Sequence, residues 1–235
     1  MEYPTKNTII DNQTLYHVLN ERSNHSLCRS AFYKNVAKLI ESKRLLRMGK
    51  GKYVFSSAHN FRYTLECDLS NQVLATMKSC FDDRIPYVVY ESTLLNRFLN
   101  HLIAHPTVIV EAPKAYVDDL FWTLKASGYK DVLVDPSDDD RYRYEPRIII
   151  KTMVSKAPIN GKEHAITAEK LIVDIVCDKV LKQFYESSEI PTMIESLFEQ
   201  NSVRIDTVRT YAKRRNAYAL LLQCLSSGDK HRFND

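Results

Sequence analysis

Glycine is scarce: five residues in 235, none of them in a P-loop, a GxGxxG turn or a GxSxG elbow, which leaves little material for a phosphate-cradling loop. The five cysteines (Cys28, Cys67, Cys80, Cys177 and Cys224) are dispersed, with no CxxC pair and no Cys/His metal spacing. That usage fits reduced thiols in a cytoplasmic protein better than a disulfide framework. No apolar run reaches the ~18 residues of a membrane span, and Met1 to Thr8 lack the apolar stretch of a secretory signal. There is no Gly-Ser followed by paired aspartates, as nucleotidyltransferases use, and no nucleophile–base order. No catalytic residue, metal or cofactor is expected.

Positive charge is unevenly spread. The first 60 residues hold ten Lys and Arg against four Asp and Glu, while the other 175 hold 23 against 25. The whole excess of the +4 chain therefore lies in its first quarter. A basic nucleic-acid-binding domain joined to a near-neutral one has this distribution.

The same quarter carries a recognisable pattern. Asn12–Leu19 places Leu15, Val18 and Leu19 at helical spacing, with Asp11 or Asn12 as N-cap. Ser30–Glu41 sets Phe32, Val36, Leu39 and Ile40 in one apolar stripe, with Ser30 as cap and Arg29, Tyr33, Lys34 and Lys38 opposite. Two β-prone runs follow, Leu45–Arg47 and Tyr53–Phe55, around Met48-Gly49-Lys50-Gly51-Lys52. Two helices, a polar turn and a lysine-tipped hairpin read as a winged helix-turn-helix over residues 1–58. Lys43, Arg44, Lys50 and Lys52 are expected on phosphates of double-stranded DNA, and Arg29, Ser30, Tyr33 and Lys34 near base edges.

Residues 56–60 (SSAHN) make a polar joint. Over 59–235 the pattern predicts an α/β domain that becomes all-helical from about 165, so the chain is α/β, or α+β overall. Helices are expected over Asp68–Phe81, Ser92–Leu102, Ala115–Ser127, Thr167–Lys182, Thr192–Gln200, Asp206–Lys213 and Asn216–Leu225. Strands are expected over Tyr87–Tyr90, Thr107–Glu111, Asp131–Val134 and Arg147–Thr152.

Four constellations invite a chemical reading. The acidic run Asp135–Asp140 is flanked by polar residues and reads as a solvated loop rather than a Mg²⁺ site. His101 and His105 make half a zinc site at most. Lys170, Asp174 and Asp178 stack at i, i+4 and i+8, opposite Leu171, Ile172, Ile175 and Val176. They read as a solvated, salt-bridged face or as a surface for a macromolecular partner. Tyr211-Ala-Lys-Arg-Arg-Asn clusters three positive charges at a helix junction, with the same two readings.

In order, the chain carries "GKGKYVF", "YVVYESTLLNRFLNHL", "TVIVEAPKAYVDDLFWTL", "ITAEKLIVDIVCDK" and "YAKRRN". This order resembles the AbiEi-type antitoxins of type IV toxin–antitoxin systems, over about Asn12 to Leu225. The resemblance implies a DNA-binding autorepressor linked to phage defence, countering a nucleotidyltransferase toxin without necessarily forming a stable complex with it. It also implies an antitoxin surface at Glu169, Lys170, Asp174, Lys213, Arg214 and Arg215. A winged-helix regulator whose α/β domain senses a small ligand, and an enzyme with a DNA-targeting arm, remain alternatives; a ligand pocket or converging titratable groups would mark them.

Overall fold

The computed structural model describes residues 9–23, 27–41, 45–55, 61–81, 84–137 and 148–233. The class is α/β, with helices covering mixed sheets.

Residues 9–55 build their own sheet and core. Strand β1 (Ile9–Asp11) leads into α1 (Asn12–Arg22), then α2 (Arg29–Glu41), β2 (Leu45–Gly49) and β3 (Lys52–Phe55). The strands pair antiparallel in the order β1–β3–β2. Asp11 caps α1, its carboxylate accepting from the Thr14 amide at 2.7 Å. The connection to α2 is bracketed from α1: the Tyr16 hydroxyl donates to the Leu27 carbonyl, and the Asn20 side chain accepts from the Leu27 amide. Ile10, Leu15, Leu19, Leu27, Phe32, Val36, Leu45 and Tyr53 close a core drawn from this segment alone. Ser30 sits inside the first turn of α2, because the helix begins at Arg29, two residues before the Ala31 start that a Ser30 cap predicts.

Residues 61–233 form three layers. A four-stranded sheet runs β4 (Val88–Glu91), β5 (Val108–Ala112), β7 (Ile148–Thr152), β6 (Val132–Val134); β4 is antiparallel to β5, and β5, β7 and β6 are parallel. Alternation along these strands assigns the faces. Val89, Val108, Val110, Ile148 and Ile150 pack with α3 (Asp68–Phe81) and α4 (Val117–Ala126). Val88, Tyr90, Ile109 and Ile149 pack with α5 (Ala168–Cys177), α6 (Ile190–Gln200), α7 (Ile205–Arg214) and α8 (Tyr218–Cys224). Because both faces are covered, the strands read as near-continuous apolar runs. A short hairpin of β8 (Ile159–Asn160) and β9 (Ala165–Ile166) runs along β4, where the Val89 amide donates to the His164 carbonyl.

Two expected helices stop early. The segment predicted over Ser92–Leu102 is a six-residue 3₁₀ helix, Ser92–Arg97. Two side-chain brackets fold the chain back: Asn96 with the backbone of Ile103, and Ser92 Oγ with the Thr107 amide. The helix predicted to Lys182 ends at Cys177, because the Asp178 carboxylate accepts from the amides of Val180 and Leu181 and turns the chain. No helix among the described residues is long and apolar enough to cross a membrane.

Candidate functional site

Helix α2 buries one face and presents the other. Phe32 and Val36 are in the core, with Leu39 and Ile40 partly covered. Arg29, Ser30, Tyr33, Lys34 and Lys38 are all exposed, Tyr33 at 58%. Ser30, Lys34 and Lys38 form one i, i+4, i+8 row, beside Arg29 and Tyr33. No acidic residue stands in the first turn, so the partial positive charge of the helix end is unopposed there. Strands β2 and β3 project Lys50 and Lys52 into solvent, either side of Gly51. Gly51 has φ +71°, and a Cβ there would meet the Asn12 side chain at 3.1 Å, so glycine fits the turn and keeps the hairpin close to α1. Lys43 and Arg44 lie outside the described residues.

A second constellation lies in the α/β region, and it corrects a sequence expectation. Glu169, Lys170 and Asp174 are not on a surface: all three are buried, Lys170 and Asp174 completely. The i, i+4, i+8 face of Lys170, Asp174 and Asp178 exists, but it points into the protein, because opposite charges from two strands and a helix meet it there.

The partners follow from register. Glu111 on β5 and Lys151 on β7 are paired positions of neighbouring parallel strands, both continuing the alternation toward α5. Lys170 Nζ lies 2.9 Å from the Glu111 carboxylate and also pairs with Asp174. Lys151 Nζ lies 3.4 Å from Glu111 and pairs with Asp178. Arg215 reaches Asp178 at 3.4 Å and Asp174 at 3.8 Å, and its Nε donates to Cys177 Sγ. The hydroxyl of Tyr90 donates to Glu111 at 2.6 Å, and that of Tyr211 to Asp174 at 3.0 Å. Three carboxylates thus meet three cations inside a mostly apolar core.

Electrostatics follow the geometry. Burial works to raise the Glu111 carboxyl, but the Lys151 and Lys170 ammoniums outweigh it and hold it well below the usual range. Asp178 is also lowered: burial is outweighed by Lys151 and by backbone amides. Asp174 is raised by burial, and by Glu111 and Asp178, beyond what Lys170 withdraws. Burial pulls Lys170 down, yet Asp174 and Glu111 leave it above its ordinary value. Every charge in the cluster is paired, and the pairs tie the sheet to the helices.

The other predicted residues fall as follows. Lys213 and Arg214 are exposed, Lys213 over the Tyr218 ring and Arg214 donating to the Ser155 carbonyl. Arg215, next in sequence, is turned inward and belongs to the buried cluster. Glu169 pairs with Arg204 at 3.3 Å. His101 and His105 do not share a helix face; the His101 ring meets the Phe184 carbonyl. Asp135 is engaged by the amide and hydroxyl of Thr152, and Asp138, Asp139 and Asp140 lie outside the described residues. Among the described residues, no group of three or more His, Cys, Asp or Glu is placed to hold a metal ion.

Sequence reasoning missed Glu91. It is 1% exposed, and its carboxylate accepts from the Tyr63 and Thr93 hydroxyls, the amides of Glu66 and Cys67, and Ser70 Oγ. It pins the entry segment 61–70 to the end of β4. Local spacing offers only Thr93, two positions on; the other four donors come from more than twenty positions upstream. Beside it a cleft of about 400 Å³, open to solvent, is lined by Arg62, Tyr63, Leu65, Leu74 and Glu163 among others.

A family of unknown function, DUF6577, matches residues 31–231, and the chain belongs to it. No protein of curated function matches the chain.

Proposed function

We propose that residues 9–55 are a winged-helix unit that holds duplex DNA, and that the chain is a DNA-binding antitoxin and autorepressor. The observation that carries the DNA reading is the exposed face of α2. Five polar or basic side chains point away from the core, and two lysines stand on the adjacent hairpin. A first strand paired to the third, with two helices between the first and second, suits a recognition helix in the major groove and a wing on the backbone. Arg29 and Tyr33 then read bases, while Lys34, Lys38, Lys50 and Lys52 neutralise phosphates.

The antitoxin part rests on the resemblance to AbiEi-type proteins. Its toxin-facing surface is narrowed to Lys213 and Arg214, since Glu169, Lys170, Asp174 and Arg215 are engaged within the fold. The counterpart is a nucleotidyltransferase toxin, and the protein works in the cytoplasm without cofactor, metal or catalysis of its own. A small-ligand sensor is the competing reading, and the cleft beside Tyr63 is what favours it.

Co-expression with a nucleotidyltransferase toxin of the AbiE type separates the two. Rescue that survives in wild type and falls with Lys213→Glu/Arg214→Glu supports the antitoxin reading. No rescue, together with a ligand that alters DNA affinity and is lost with Tyr63→Ala, replaces it with the sensor.

A further inference from the structure

Helix α4 holds to the sheet through Val117, Leu120 and Leu124, which are buried. Its outer side carries Trp122, the only tryptophan, 68% exposed. Phe121 beneath is partly buried against the core and meets the indole edge-on at 5.1 Å. An aromatic of this size left in solvent is the usual anchor of a protein–protein contact. The charges around it have an order. Asp118 and Asp119 precede Trp122 by four and three residues and are exposed; Lys125 follows by three, half-buried, its ammonium donating to the Lys130 carbonyl and lying 5.7 Å from the Phe121 ring centroid, with further hydrogens to offer. Asp118, Trp122 and Lys125 follow one another at i, i+4 and i+7 along one strip, and Asp119 flanks Trp122 three residues before it.

We propose that this strip is where two copies of the chain meet, as an antiparallel pair of α4 helices crossing at Trp122. The strip is complementary to itself reversed. The midpoint of Val117–Ala126 falls between Phe121 and Trp122. A twofold axis there sets Asp118 and Asp119 of one copy against Lys125 of the other, at both ends, with the two indoles at the centre. The helix dipoles oppose favourably in the same arrangement. Duplex DNA does not suit the strip, because its two carboxylates would face phosphates. A helix of ten residues spans about 15 Å, so the contact is small and the association weak. The contact stands independently of the DNA-binding reading, but two weakly joined copies would suit paired half-sites.

The single tryptophan makes the test direct. In the full chain, sedimentation should show mass doubling with concentration, and the Trp122 emission should shift to shorter wavelength over the same range. Trp122→Ala should stay monomeric with unchanged circular dichroism and melting temperature. Asp118→Lys/Asp119→Lys and Lys125→Glu should each be monomeric alone and associate when mixed, since the mixture restores opposite charges at both ends. A wild-type chain that remains monomeric to about 1 mM overturns the proposal. So does a Trp122→Ala chain that dimerises as wild type does, or a mixture that fails to associate.

Discussion

Lys170 shows what a single buried charge is worth here. Its ammonium bridges Glu111 and Asp174, so its removal leaves Glu111 only the longer contact with Lys151 at 3.4 Å and Asp174 only Arg215 at 3.8 Å, among buried groups. Lys170→Met should therefore destabilise the chain by about 3–5 kcal/mol, read as a lower urea midpoint. Exposed Lys213→Glu/Arg214→Glu should shift that midpoint by less than about 0.5 kcal/mol, whereas Arg215→Glu should resemble the buried lesion. The pH response follows from the same groups. Glu111, Asp178 and Glu91 all titrate below their ordinary values in the folded chain. Their contribution is complete above the unfolded carboxylate range of about 4 and is lost as pH falls through the depressed folded values. Asp174 is raised, so it takes up its proton first and opposes this trend rather than causing it. Lys151 and Lys170 are raised, so their share is complete below about pH 10 and disappears only above it. Urea midpoints should be flat between about pH 5 and 8 and fall steeply below 4; a steady decline from pH 7 to 5 would contradict this assignment.

Among elements, those with a strong period were legible and those closed by distant partners were not. Helix α3 spans Asp68–Phe81 as its pattern predicts, and β4, β5, β6 and β7 each lie within a residue of their expected positions. Periodicity reported the spacing of Lys170, Asp174 and Asp178 correctly. It could not report the direction of their face, because charge ordinarily marks solvent, and the opposite charges lie some 20 to 60 positions away in sequence. Strand β1 was missed although Ile9 and Ile10 precede the Asp11 cap; three residues are too few for a pattern, and pairing with β3 makes the strand. The exposed side of α2 is legible in the sequence, since helix spacing alone separates Tyr33 and Lys34 from Phe32 and Val36. At this scale the hairpin should act through charge only. Lys50→Ala and Lys52→Ala should each weaken binding on any duplex and lower the slope of log affinity against log salt by roughly one contact. Arg29→Ala or Tyr33→Ala should cost more on the operator than on random duplex, by about 1–3 kcal/mol in discrimination. Equal losses on both duplexes would mean that α2 does not enter the groove.

The molecule as a whole divides its charge as it divides its structure. Residues 9–55 close their own core, and the sheet at 88–152 with its helices closes two others. The positive excess belongs to the first of these parts, so affinity for bulk DNA should belong there too. The measurement that tests this most directly is the affinity of the full chain for a duplex of its own promoter across a salt series, by anisotropy, beside a chain carrying Lys34→Glu, Lys38→Glu, Lys50→Glu and Lys52→Glu. The wild type should bind with a steep loss of affinity as salt rises, and the variant, with unchanged circular dichroism, should lose binding on promoter and random duplex alike. A wild type that fails to bind, or a folded variant that binds with the same affinity and the same salt slope, would contradict the claim that this N-terminal face holds DNA.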